Sequence, residues 1–334
     1  MTLPRSSLVS AEETPYYHVF GRCVRRAYLC GYDEVTNRSF EHRRRWISER
    51  LRVLCDAFAI DLCAYAVMSN HYHLVVKLDP ERTTTWSARE IVERWLTLFK
   101  GTDAARGFLN NETLNATEKQ ALNADITTWQ ARLSDLSWFM RCLNESIARR
   151  ANKEDKCKGH FWESRFKSQA VLDDIALLRS MAYVDLNPIR AKLAESIETS
   201  DYTSVQDRYR AQKNQPQRLP VAQRPQLLPF RQSELDDNTD ALPFNLDDYL
   251  NLVDVTGRVI IEGKRGFIDG ASPKLIQSFS INAAQWMDTV TQLQHRLELA
   301  IGTPEHLQNL ANRWGKRWLQ GIGVAKRLYP TPAG

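Results

Sequence analysis

His71 and His73 stand two residues apart in the stretch LCAYAVMSNHYHLVVKL, and the chain has only seven histidines. Apolar and β-branched residues flank them, so the segment reads as a strand. Period-two geometry then sets both imidazoles on one face and turns Tyr72 to the other. Two neutral imidazoles side by side are a natural pair of ligands for a divalent metal. The plain alternative is a pair of sheet histidines satisfied by their neighbours. An H-x-H spacing alone does not decide between them.

A second element is MAYVDLNPIRAKL, in which Asn187 follows Tyr183 at i+4. If one helix carries both, their side chains share a face with Cβ atoms roughly 6 Å apart. A phenol nucleophile would then lie beside an amide oxygen able to join the metal. The alternative makes Tyr183 an ordinary amphipathic-helix tyrosine and Asn187, which precedes Pro188, the N-cap of a new helix. The third element is GHFWESRF, residues 159–166. Its Gly turn bears Phe161, Trp162 and Phe166 beside Arg165 and Lys167, which suits stacking on bases and gripping phosphates in single-stranded DNA. The same aromatics also suit a hydrophobic plug under a sheet.

These residues need a scaffold to bring them together. YYHVFGRCVR, residues 16–25, alternates as a strand does. A helical pattern follows over about 40–59, with Trp46, Leu51, Leu54 and Phe58 at helical spacing. The histidine segment then reads as two strands back to back, with Ser69-Asn70 at the turn and Asp79-Pro80 ending them. Helical stretches fill about 87–100 and 125–153. The extended FKSQAV leads into a helix starting near Asp173-Asp174, whose acids suit the positive end of a helix dipole. This order predicts an α+β sandwich of ferredoxin-like type, an antiparallel sheet with helices on one face.

Residues 1–210 would form that domain. From 211 to 243 the chain is dense in Gln and Pro and reads as an extended linker. Residues 244–334 read as a mostly helical region of undefined role. There Trp314, Lys316, Arg317, Trp318, Lys326 and Arg327 suit DNA, a partner helix, or a bundle packed back on the first domain.

The 334 residues are 43% hydrophobic and 25% charged, the profile of a soluble globular protein. Neither an apolar run of about 20 residues nor a secretory h-region is present, so the expected location is the cytoplasm. Six scattered cysteines without a C-x-x-C pair argue for buried reduced thiols. The net charge of +5 fits a nucleic-acid partner, and the basic residues cluster. Arg22, Arg25 and Arg26 form one group, Arg43 to Arg45 another, and Arg149, Arg150, Lys153, Lys156 and Lys158 a third. Each group could neutralise phosphates or simply solvate a helix face.

YYHVFGRCVRRAYLCG, YAVMSNHYHLVV, GHFWESRFKSQAV and MAYVDLNPIRAKL occur in that order. Over roughly residues 15–205 the chain resembles the REP-associated tyrosine transposases, relatives of the single-tyrosine HUH transposases, where U is a hydrophobic residue. The resemblance implies that His71 and His73 hold Mg2+ or Mn2+, that Asn187 completes the metal shell, and that Tyr183 is the nucleophile. Tyr72 fills the U position and is bulkier than the usual aliphatic residue. A 5′-phosphotyrosine intermediate, and single-stranded DNA with hairpin-forming repeats as substrate, follow from the same resemblance. Arg22, Arg25, Arg26, Trp162, Arg165, Phe166 and Lys167 are the candidate DNA contacts. Two rival readings remain: a hairpin-binding regulator that does not cleave, and a metal-dependent phosphodiesterase that uses water.

Overall fold

Alternating aromatic and β-branched residues build strand β1 (Tyr16–Arg22), which sits inside a five-stranded sheet of order β4-β5-β1-β6-β7. The partners are β4 (Ile60–Val67), β5 (His71–Leu78), β6 (Lys167–Val171) and β7 (Ala300–Ile301), while β2 (Tyr32–Asp33) and β3 (Arg38–Ser39) form a separate ribbon. The computed structural model describes residues 9–11, 13–24, 29–34, 36–233, 240–262, 273–292 and 298–329. The helices before β6 are α1 (His42–Ala57), α2 (Ala88–Leu98), α3 (Asp103–Leu109), α4 (Ala116–Leu133) and α5 (Leu136–Glu154). After it come α6 (Asp174–Asp185), α7 (Asn187–Arg190), α8 (Ser204–Gln212), α9 (Leu246–Glu262), α10 (Lys274–Ser278) and α11 (Ala283–Gln292). Then α12 (Pro304–Arg313) and α13 (Ile322–Leu328) follow β7.

The class is α+β, as expected, but the sheet departs from expectation twice. β1 runs antiparallel to both β5 and β6, whereas β7 adds to β6 in parallel, so the sheet is mixed. Helices also cover both faces rather than one. Tyr17, Val19, Tyr72, Leu74 and Val76 pack with Leu51 and Leu54 of α1 and Phe139 and Leu143 of α5. Cys63, Ala66, Val75 and Val171 pack on the other face with Leu177, Met181 and Tyr183 of α6. Strand alternation sends successive side chains into these two cores. Each fully buried aliphatic residue contributes about 1.5–3 kcal/mol.

Local signals stop and start the helices. Ser87 with Glu90, and Asn115 with Glu118, form reciprocal capping boxes at α2 and α4. Asp173 caps α6 by accepting from the Ala176 N–H at 2.9 Å, so the acidic pair does mark a helix start.

The Gln/Pro-rich stretch is extended for much of its length but is pinned to the sheet. The Leu228 N–H donates to the Leu62 carbonyl at 2.9 Å, and Arg208 Nη2 donates to the Leu228 carbonyl at 3.1 Å. Beyond it, Phe244, Tyr249, Leu252, Trp286 and Ile301 share one hydrophobic cluster with α6. The boundary expected near 211–243 therefore does not interrupt this core. Among the described residues no helix is long and apolar enough to cross a membrane.

Candidate active site

β1 and β5 pair so that Phe20 lies opposite His73 and Arg22 opposite His71, while β6 brings Gln169 opposite His18. His18, His71, His73 and Gln169 consequently share the sheet face that α6 covers. Tyr72 takes the opposite face, as strand alternation requires. There its hydroxyl donates to Asn144 Oδ1 at 2.5 Å and its ring meets Trp162 edge-on. Gly21 makes room for that ring: a Cβ there would stand 2.7 Å from the Tyr72 hydroxyl.

Helix α6 lays Tyr183 across the histidines. The Tyr183 ring stands edge-on to His73 with centroids 5.4 Å apart, and 5.8 Å from His18. His71 and His73 are themselves perpendicular at 4.9 Å. All four line one cavity of about 300 Å3, together with Arg22, Arg165 and Lys167.

Electrostatics favours bare imidazoles here. Burial, reinforced by Arg22 and Arg190, pulls His71 down to about 4. Burial pulls His18 down to about 4 as well. His73 is lowered well below its ordinary range by burial and by the neighbouring His71, His18 and Arg190. Near neutral pH each ring therefore keeps one nitrogen lone pair. His71 Nδ1 lies 2.6 Å from Asn70 Oδ1, an acceptor, which assigns the ring proton to Nδ1. His71 Nε2 is buried without a hydrogen-bond partner. A buried lone pair with no donor facing it is suited to a cation, and a divalent metal fits the donor set of His71 and His73. Among the described residues no group of three or more His, Cys, Asp or Glu side chains is arranged as a metal site. Glu163 lines the same cavity as the two histidines.

Asn187 does not join the cavity wall. It is buried, at 4% exposure, with its Nδ2 lacking a partner. Its N-cap alternative is not realised either: Asn187 falls inside α7, and no side chain caps that helix. α6 ends at Asp185, so Tyr183 and Asn187 belong to consecutive helices.

The aromatic loop divides. Phe166 is 6% exposed and packs in the core with Phe161, so it offers bases no ring face. Trp162 is half-buried and its Nε1–H donates to the Asn144 carbonyl at 2.9 Å. Phe166 acts as the plug under the sheet, which corrects its expected DNA role, while Trp162 packs partly against the same core. Arg165 and Lys167 are exposed and face the cavity, as does Arg22. Arg25 and Arg26 lie outside the described residues. The Arg43–Arg45 group is not a phosphate patch: Arg43, 1% exposed, pairs with Glu154 at 2.7 Å and with Asp155, and Arg44 pairs with Glu41 at 2.9 Å.

Three residues of the site escaped sequence reading. Arg190 places its guanidinium 4.6 Å from the Tyr183 ring centre and donates to the Thr291 carbonyl at 2.8 Å. His18 lies 3.0 Å from His73, and Gln169 lies 3.3 Å from His18. A histidine inside an alternating strand was the one signal for His18. Nothing local marked the other two. Comparison of the chain with protein-family models finds no match, and comparison with curated proteins and with solved structures finds no significant match either.

Proposed function

We propose that this protein is a metal-dependent single-strand DNA endonuclease and strand transferase of the tyrosine-transposase type. The observation that carries the reading is Tyr183 edge-on to His73 in the cavity that His71, Arg22, Arg165 and Lys167 also line. The strand succession supports it: β1, β4, β5 and β6 adopt the order of a ferredoxin-like sheet, the scaffold expected of HUH nucleases.

His71 and His73 would hold Mg2+ or Mn2+, which when bound supplies Lewis-acid polarisation of the scissile phosphate. The Tyr183 oxygen attacks phosphorus and gives up its proton. The P–O3′ bond breaks, the 3′-oxygen takes up a proton, and the 5′-phosphate remains esterified to Tyr183. Arg22, Arg165 and Lys167 grip backbone phosphates around the cavity. Because the phosphotyrosine conserves a phosphodiester-like bond, a 3′-hydroxyl can reverse the step and join strands. Hairpin-forming repeat DNA is the proposed substrate on the strength of the motif resemblance.

Labelled single-stranded hairpin DNA incubated with protein and Mn2+ should give a species that stays shifted on a denaturing gel. Peptide mapping should put the link on Tyr183, and Tyr183→Phe should give neither adduct nor product. Cleavage without any adduct would favour a water-using phosphodiesterase. Binding with no cleavage in either protein would favour a regulator.

A further inference from the structure

His73 is not alone on its inner side. A continuous chain of polar contacts runs away from it into the protein: His73 Nδ1 to His18 Nε2 at 3.0 Å, His18 Nδ1 to Gln169 Oε1 at 3.3 Å, and Gln169 Nε2 to the Glu298 backbone carbonyl at 3.0 Å. His18, His73, Gln169 and Glu298 are all buried. The direction of every bond follows from the last one. A backbone carbonyl only accepts, so the Gln169 amide must turn its NH2 toward Glu298 and its oxygen toward His18. That oxygen also only accepts, so the His18 proton sits on Nδ1. A neutral imidazole has one ring proton, which leaves His18 Nε2 as a lone pair. His73 must then donate from Nδ1, and its own lone pair falls on Nε2.

We propose that His18 is a positioning residue for His73: anchored through Gln169 on the Glu298 carbonyl, it holds His73 in the Nδ1–H tautomer and so keeps Nε2 bare for a cation. The inference rests on the metal-binding role proposed above for its purpose, but its mechanism is a property of the metal-free protein. Ligating histidines in general rely on such an outer partner to fix ring orientation and proton position. The outer partner here is a third histidine, and the group that orients it comes from the segment entering β7. There the Ala170 N–H donates to the Leu299 carbonyl at 3.0 Å and the Leu172 N–H to the Ile301 carbonyl at 2.9 Å. The C-terminal region therefore sets the proton pattern of the candidate metal site through a backbone carbonyl.

Without the anchor the pattern is degenerate. A His18 freed from Gln169 can carry its proton on Nε2, donate to His73 Nδ1, and force the His73 proton to Nε2. That tautomer blocks the nitrogen a cation needs. Losing an outer partner of this kind typically costs 10–100-fold in metal affinity.

Long-range 1H–15N correlation spectra of histidine-labelled, metal-free, full-length protein read the tautomer directly. His73 is expected to show a protonated Nδ1 and a bare Nε2. Gln169→Leu should shift His73 toward a tautomer mixture and weaken Mn2+ binding, read by calorimetry, by about tenfold or more. His18→Phe should do the same, while Gln169→Asn, supplemented by no other change, should fall between. A protonated Nε2 on His73 in the wild-type protein overturns the proposal, and so does an unchanged His73 tautomer in a folded Gln169→Leu protein. If wild-type protein binds no Mn2+, the metal reading fails, and the wild-type spectrum still decides whether His18 sets the tautomer.

Discussion

Tyr183 lies edge-on to His73 with ring centres 5.4 Å apart, although one residue belongs to α6 and the other to β5. The Arg190 guanidinium sits 4.6 Å from the Tyr183 ring centre, so the phenol has both a neutral imidazole and a cation as neighbours. An ordinary core tyrosine needs neither neighbour. Their combination bears on what removing each partner should do.

His71→Ala and His73→Ala should each reduce cleavage of a single-stranded hairpin by at least about 100-fold, since a missing transition-state stabiliser costs of that order. Hairpin binding should stay within a few-fold of wild type, because phosphate contacts elsewhere supply the affinity. Rates come from single-turnover gels and affinity from anisotropy. Near wild-type cleavage by either variant would remove the histidines from the chemistry.

The two imidazoles also set a preference among cations. Imidazole nitrogen favours first-row transition ions, whereas Mg2+ prefers oxygen donors. Calorimetry on full-length protein should give tighter binding for Mn2+ than for Mg2+, and His71→Ala should lose most of the difference. Equal affinities for the two ions would mean that the imidazoles are not ligands.

How much of this was legible beforehand follows from the range of each signal. Strand alternation is local, so the shared face of His71 and His73 and the opposite placement of Tyr72 could be read from β5 alone. The acidic start of α6 was equally local. What periodicity lacks is the third dimension. It could not show that β7 would extend the sheet or that helices would cover both faces, whereas the Asn187-Pro188 pair did signal locally that α6 would end before Asn187. Phe166 was ambiguous for the same reason: an aromatic beside basic residues looks alike whether it faces DNA or the core. Arg190 and Gln169 needed the packing of α11 and the segment before β7, which no window around either residue contains.

Arg165 and Lys167 should act on affinity and not on the metal. The double Arg165→Ala, Lys167→Ala protein should bind single-stranded hairpin DNA more weakly. The slope of log K against log salt should shrink in magnitude by about 1.4, at about 0.7 for each lost phosphate contact. Mn2+ affinity should stay unchanged. A slope equal to that of wild type would move the DNA path away from this rim.

Thiol chemistry should report the packing. None of the six cysteines is in a disulfide. Burial pushes Cys30 and Cys55 up to about 12 and raises Cys63 and Cys142 as well. Cys23 is buried, whereas Cys157 is only partly so. Thiolate is the reactive species, so a disulfide reagent at pH 8 should modify Cys157 first, with the remainder following only on unfolding. Rapid modification of Cys63 in native protein would contradict the packing of α6 on β4.

The C-terminal region should prove inseparable from the residues before it. Composition alone suggests that a protease will cut between 211 and 243 and release a stable fragment. Cutting is still expected there, because the stretch is largely exposed around Val221. Release is not. The Tyr249 hydroxyl donates to buried Asp185 Oδ2 at 2.6 Å, and Asp185 Oδ1 accepts from Ser204 Oγ at 2.5 Å and from the Val205 N–H at 3.0 Å. Removing residues 244–334 leaves one oxygen of that carboxylate without this donor, at a cost of about 1–3 kcal/mol for a buried unsatisfied group. It also strips Phe244, Tyr249, Leu252 and Trp286 from the cluster that covers α6, and β7 from the sheet edge. Those losses are large beside the 5–15 kcal/mol of a typical domain. Nicked protein should therefore elute from gel filtration as one associated species, while a chain ending at residue 243 should be insoluble or melt far below the full-length protein. A soluble 1–243 protein with the full-length melting temperature and the His73 tautomer intact would show that α6 and the histidines need nothing from beyond the Gln/Pro-rich stretch.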